Sequence, residues 1–325
     1  MRSYFKFAIR GVDWWWPILL YWAAIVAAEA GAFLTRSSPG DVTRAMVSLA
    51  ITIPFSILLA VAEAALLIVI YRRAAPKLSI EGSAFDFDGT PGRYALIIFV
   101  GSLLSMVTLG IYVPWFARRV ESYIAERTRF RESRLRFLGK PLTLLPLFLV
   151  VVVVIVAALV AIGFTAAGRG SQGDAPSGGG ALVTTLVTFV LILLIVPILI
   201  YVIYQWAVHF RWNDLTLRWR TRFLPSIGFM IGQFVLAMIT LGIYWPAACL
   251  RLYRYFARRS VLGREGTEVG RFGFDGRIGR GFWFLWGQAL LSLLTAGIYL
   301  PWGLARAGRW ILERTYLERG AQQSE

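Results

Sequence analysis

Apolar residues along this chain fall into two kinds of run. Four runs, at 14–34, 46–71, 142–164 and 182–208, reach the ~20 residues a helix needs to cross a bilayer. Aromatic residues stand at their edges, with Trp14, Trp15 and Trp16 opening the first and Tyr71 closing the second. That is where rings settle at headgroup depth. The first run is longer than a signal segment and lacks an Ala-x-Ala ending, so it reads as a retained helix. Residues 168–180, rich in Gly and Ser, read as a flexible loop outside the hydrocarbon layer.

Three shorter runs, at 94–107, 224–239 and 281–294, each lead into nearly the same words. The first is Thr108-Leu109-Gly110-Ile111-Tyr112-Val113-Pro114-Trp115, the second Thr240-Leu241-Gly242-Ile243-Tyr244-Trp245-Pro246, the third Thr295-Ala296-Gly297-Ile298-Tyr299-Leu300-Pro301-Trp302. Such self-similarity indicates an internal repeat. Glycine at 110, 242 and 297 suits a left-handed helix cap, and proline at 114, 246 and 301 suits the first turn of a new helix. The new helix is amphipathic, with Trp115, Phe116, Val120, Tyr123 and Ile124 set among Arg118, Arg119, Glu121 and Glu126; it reads as lying at a membrane surface. Upstream, Phe85-Asp86-Phe87-Asp88-Gly89 and Phe272-Gly273-Phe274-Asp275-Gly276 predict a short strand and tight turn. The middle copy has Leu217-Arg218-Trp219 there, so an altered strand is expected.

Charge chooses between topologies. If all seven runs cross, the 34 Lys and Arg divide about evenly between the two sides. If the three short runs enter and leave on one side, nearly all of them fall inside, as the positive-inside rule demands. The expected fold is therefore an all-α polytopic membrane protein. It has four long transmembrane helices and three short re-entrant helices, each followed by an interfacial amphipathic helix, with short Phe-x-Phe strand-turns and both termini cytoplasmic. The expected division is a hairpin at 1–77, a first module at 78–139, a second hairpin at 140–208, a second module at 209–264, and a third with the C-terminal amphipathic helix at 265–325.

Composition narrows the chemistry. The chain is 58% hydrophobic and 16% charged, yet carries +16. One cysteine, Cys249, excludes a disulfide framework, and one histidine, His209, removes most zinc and Ser-His chemistry. No catalytic residue, metal site or cofactor is expected, and no hydrolase, P-loop or dinucleotide fingerprint is present. The basic charge lies at membrane edges, which argues for anionic phospholipids and against nucleic acid.

The candidate sites follow the repeat. At i, i+4 and i+8, the triplets Arg119, Tyr123, Arg127, then Arg251, Tyr255, Arg259, then Arg306, Trp310, Arg314 share a helix face. They could stack cation on ring and hold anionic lipid or solute, or serve as plain interfacial anchors. The turn residues Gly110, Tyr112, Pro114, Gly242, Tyr244, Pro246, Gly297, Tyr299 and Pro301 would line a cytoplasmic vestibule. Gln233 and Gln288, with Gly101 at the matching place, lie on a small-residue stripe that either packs helices or lines a polar path. Glu29 and Glu63 fall inside long runs, where an ionisable group is a functional candidate. Two function classes remain open: a transport or lipid-handling conduit, and a scaffold or accessory subunit docking a membrane-protein partner, with homo-oligomers compatible with either.

The Phe-x-Phe-x-Gly segment, apolar helix, Thr-Leu-Gly-Ile-Tyr-x-Pro-Trp turn and basic helix resemble the YjgN-like family of bacterial inner-membrane proteins, catalogued as a domain of unknown function. The resemblance covers residues 78–325; residues 1–77 match by architecture only. Departures are Ala247 where Trp follows the proline, the missing Phe-x-Phe-x-Gly of the middle copy, and Ala296 in place of leucine. The resemblance implies an inner-membrane location and a cytoplasmic C-terminus, and no established activity, cofactor or catalytic residue.

Overall fold

Segments that alternate side chains with period two, bounded by residues willing to turn left-handed, pair as hairpins. A computed structural model describes residues 2–34, 42–152, 193 and 195–319, and in it such segments do more than punctuate helices. They form β1 (Arg2–Phe7), β2 (Leu78–Ile80), β3 (Ser83–Phe87), β4 (Thr128–Phe130), β5 (Ser133–Phe137), β6 (Phe210–Trp212), β7 (Leu215–Trp219), β8 (Ser260–Arg264), β9 (Thr267–Phe274) and β10 (Thr315–Arg319). Every pairing is antiparallel, and the order β1-β10-β9-β8-β7-β6-β5-β4-β3-β2 closes into a barrel. Four two-residue turns join β2 to β3, β4 to β5, β6 to β7 and β8 to β9. Each starts with a left-handed residue: Glu81 (φ 53°), Arg131 (φ 56°), Asn213 (φ 50°) and Glu265 (φ 48°).

The other connections carry helices. β1 leads to α1 (Gly11–Leu34) and α2 (Val42–Ala74) before β2; β3 leads to α3 (Pro91–Val107) and α4 (Val113–Arg127) before β4. β7 leads to α5 (Phe223–Ile239) and α6 (Trp245–Ala257) before β8; β9 leads to α7 (Ile278–Leu294) and α8 (Leu300–Leu312) before β10. Between β5 and β6 the described helical segments are 145–152 and Ile195–Ala207. The barrel is thus assembled from strand–helix–helix–strand units, and one backbone bond marks each junction. The residue after the first strand donates its N–H to the carbonyl just before the second: Ala8 to Lys77 (2.9 Å), Asp88 to Arg127 (3.0 Å), Leu138 to His209 (2.8 Å), Arg220 to Arg259 (2.8 Å) and Asp275 to Arg314 (3.1 Å).

This overturns the all-α expectation with its four long transmembrane helices. Among the described residues one helix, Thr52–Lys77, is long and apolar enough to cross a membrane. The expected run 14–34 lies in α1, which departs from helical geometry at Trp14 (φ −139°) and contains Pro17. Of the runs 142–164 and 182–208, residues 153–164, 182–192 and 194 lie outside the described residues. The amphipathic helices do not stand apart at a surface: α4, α6 and α8 each fold back along the apolar helix before them. The middle-copy strand also forms, as β7, with Trp219 buried (8% exposed) where β3 has Phe87. Segment length alone misled, because strands of which all but β9 have three to six residues carry little periodic signal and acquire their partners through the closed sheet.

Candidate functional site

The repeated turns build the tips of the helix hairpins. Leu109 and Gly110 (φ 49° and 88°), Leu241 and Gly242 (49° and 84°), and Ala296 and Gly297 (49° and 90°) are left-handed pairs. Their glycine N–H groups close the preceding helix on Ser105 (2.6 Å), Ala237 (2.7 Å) and Ser292 (2.7 Å) carbonyls, as a Schellman cap does. The Thr108, Thr240 and Thr295 hydroxyls accept the N–H of Tyr112 (3.1 Å), Tyr244 (3.0 Å) and Tyr299 (3.0 Å), leading into the second helix. Pro114 and Pro301 are buried and Pro246 half-buried in its first turn. Leu109 is 87% exposed and Leu241 92%, so the tips present bare apolar residues.

The polar stripe is occupied within the hairpins. Tyr244 donates its hydroxyl to Gln233 Oε1 at 2.8 Å, and Tyr299 to Gln288 Oε1 at 2.9 Å; Phe116 fills the equivalent space over Gly101. The charged triplets divide. Arg119, Arg251 and Arg306 are exposed. Arg251 lies over the Tyr244 ring at 5.4 Å, and Arg306 donates to the Tyr299 hydroxyl at 2.7 Å. The aromatic rungs turn to the partner helix: the Tyr123 hydroxyl meets the Thr90 N–H (2.8 Å), Tyr255 meets the Ser226 hydroxyl (2.8 Å), and Trp310 packs against Gly281. Arg127, Arg259 and Arg314 stack over Tyr123 (5.7 Å), Tyr255 (3.4 Å) and Trp310 (4.7 Å).

Those last three arginines supply the carbonyls that accept at the unit junctions, where Lys77 and His209 hold the same position. Lys77, Arg127, His209, Arg259 and Arg314 therefore ring the barrel where helices meet strands. Sequence reasoning missed this belt because Lys77 and His209 lie outside the aligned words. Burial, and then Arg218, push the His209 imidazole below its ordinary pKa. Arg127 also faces Asp88 (3.6 Å), which accepts from Arg129 and Arg134 at 2.8 Å each.

Inside the barrel, side chains stack in layers. Nearest the helices are Phe7, Phe87, Phe137, Trp219 and Phe274, all buried, one from each unit's first strand. Two residues back along the same strands lie Phe5, Phe85, Leu135, Leu217 and Phe272, facing Ile80, Phe130, Trp212, Leu262 and Leu317. All ten strands thus line a cavity of about 390 Å³. At the turn end the Glu81 carboxylate accepts from Arg131 (3.1 Å), Arg319 (2.7 Å) and the Ser3 hydroxyl (3.0 Å). A second cavity of about 300 Å³, lined by Arg131, Asn213, Asp214, Arg264 and Arg319 among others, adjoins it. The layers carried a visible cue at Phe137-Leu138-Gly139, where Gly139 lies under the Phe137 ring as Gly89 does under Phe87.

Glu63 is half-buried in α2, with no ion pair among the described residues, and nothing is described of the Glu29 side chain. Cys249 is exposed. Among the described residues no three His, Cys, Asp or Glu side chains converge as metal ligands.

Residues 82–269, more than half of the chain, match the family described as bacterial protein of unknown function (DUF898). The chain belongs to this family. It is also similar to the inner membrane protein YjgN of Escherichia coli K12 and of Escherichia coli O157:H7. Each is 33% identical over 61 residues, covering 19% of this chain and 15% of the relative. The match thus spans well under a fifth of the curated relatives' length. No solved structure matches significantly. The YjgN-like resemblance read from the repeated words stands.

Proposed function

We propose that this family member is a non-enzymatic, lipid-handling protein of the bacterial inner membrane. Its hairpins sit in the bilayer from the cytoplasmic side, with the barrel in water below them. The observation that carries the reading is the order of chemistry along the barrel axis. Apolar tips such as Leu109 and Leu241 come first, then the basic belt, then a strand cage whose turn-end rim is charged. Hydrocarbon, anionic headgroups and water present that same order. The name of the relatives supplies the membrane. The apolar middle layer of the lumen favours handling of lipid over conduction of a polar solute.

Depth measurement tests this. In a Cys249→Ala background, an environment-sensitive dye on Leu241→Cys is expected to be strongly quenched by brominated acyl chains in vesicles of phosphatidylcholine and phosphatidylglycerol. The same dye on Asn213→Cys is expected to be unaffected. Equal quenching at both positions, or none at Leu241, would falsify the seating. A second reading, that the chain is an accessory subunit, is favoured by an open apolar crevice of about 550 Å³ beside Tyr204, Trp245 and Phe256. A stoichiometric membrane-protein partner lost on Trp245→Asp would support it.

A further inference from the structure

The seating of the hairpins leaves the lumen unexplained. A barrel core with no task would be packed shut, yet this one encloses about 390 Å³. That lies at the small end of the about 300–1,000 Å³ usual for small-molecule sites. Its walls are apolar on all ten strands, and the buried rings Phe7, Phe87, Phe137, Trp219 and Phe274 occupy the helix end. At the turn end it meets the polar cavity, the two sharing Trp212, Leu215, Leu262 and Arg319. There Arg131 and Arg319 converge on one oxygen of Glu81. The Arg264 guanidinium, lining the same cavity, has no ion pair among the described residues.

An apolar chamber opening into a guanidinium-rich vestibule has the shape and polarity of one kind of ligand. We infer that the lumen binds a single-chain anionic amphiphile, a long-chain carboxylate, tail inward and head against Arg264 and Arg319. At about 390 Å³ the lumen has the volume for one such chain and not for two. A carboxylate on Arg264 gains a charge-assisted hydrogen bond that an uncharged head cannot make. This rests on the lipid-handling reading but is separable from it.

The test uses the full chain in vesicles of phosphatidylcholine and phosphatidylglycerol, with a palmitate analogue carrying a photoreactive group near the end of its chain. Cross-links are expected in the strands, at peptides containing Phe85 or Phe272, and excess palmitate displaces them while hexadecanol does so poorly. Leu262→Trp is expected to remove the strand cross-links, with Leu217→Phe as a second filling variant if the first does not fold. Arg264→Gln is expected to raise the half-saturating concentration about tenfold, the loss of one charged hydrogen bond. Vesicle flotation, read in parallel, should not change in any variant. Labelling confined to the hairpin tips, or strand labelling that survives both filling variants, overturns the lumen site while the membrane reading stands. Failure of the parent chain to float overturns that reading itself.

Discussion

Gly242 and Gly297 hold the same backbone conformation but different surroundings. At Gly242 (φ 84°) a methyl group would meet no neighbour within 4 Å among the described residues, so Gly242→Ala is expected to carry only the left-handed penalty of about 1–2 kcal/mol. At Gly297 (φ 90°) it would run into the Trp22 indole, joining a steric clash to the same penalty. Thermal unfolding in detergent should therefore show a modest drop in midpoint for Gly242→Ala and a distinctly larger one for Gly297→Ala; equal drops would mean Trp22 does not pack there. His209 supplies a second residue-scale expectation. Burial, then Arg218, favour its neutral form in the fold, so the unfolded chain takes up the proton more readily. Stability should be full above the ordinary imidazole pKa of about 6.5 and decline as pH falls from there toward the lowered folded value. His209→Gln should flatten that slope in a pH series of unfolding midpoints, and an unchanged slope would assign it to other groups.

A hairpin is held as an element by bonds that cross from one helix to the other. Gln233 is buried, and its side-chain carbonyl accepts from Tyr244 alone among the described residues. Tyr244→Phe should therefore cost about 1–3 kcal/mol by stranding that oxygen, while adding Gln233→Leu should recover most of the loss. A double variant no better than the single would show that the pair contributes through packing instead. The same hairpin shows what the sequence could and could not reveal. Thr240, Gly242 and Pro246 announce a helix stop and restart by local chemistry, and the structure breaks the helix there. The matching spacing also told that Gln233 and Gln288 are equivalent. Their partners Tyr244 and Tyr299 lie 11 residues on, across a turn whose return direction no local rule fixes. Read as a helix lying flat, α6 left Tyr255 and Arg259 free for lipid; folded back along α5, it turns the ring to Ser226 and keeps the cation over it.

Closure of the barrel belongs to no element, and it was the least legible feature. Phe85-Asp86-Phe87 announced a strand, but β2, β4 and β6 are three residues each, below the length at which alternation can be read. Which strand meets which is fixed by pairings as remote as β1 with β10. There Arg2, Ser3 and Tyr4 lie opposite Glu318, Leu317 and Tyr316. The seam is reinforced by Arg2 on Glu318 (3.0 Å) and by the Tyr4 hydroxyl donating to Asp275 (3.0 Å). An open sheet would leave two strand edges free to pair with other chains; closure removes both and gives the lumen a continuous wall. Tyr4 and Tyr316 are directly opposed with ring centroids 5.6 Å apart, and opposed residues of antiparallel strands lie within the about 4.4–6.8 Å Cα separation of a disulfide. Tyr4→Cys with Tyr316→Cys, in the Cys249→Ala background, should oxidise to an intramolecular disulfide that joins the two ends of the chain and speeds its migration in non-reducing gels. Tyr4→Cys with Arg136→Cys, on a strand that does not pair with β1, should not. If the first pair stays reduced or cross-links only between chains, the seam is open, and the lumen loses the wall on which any ligand held there depends.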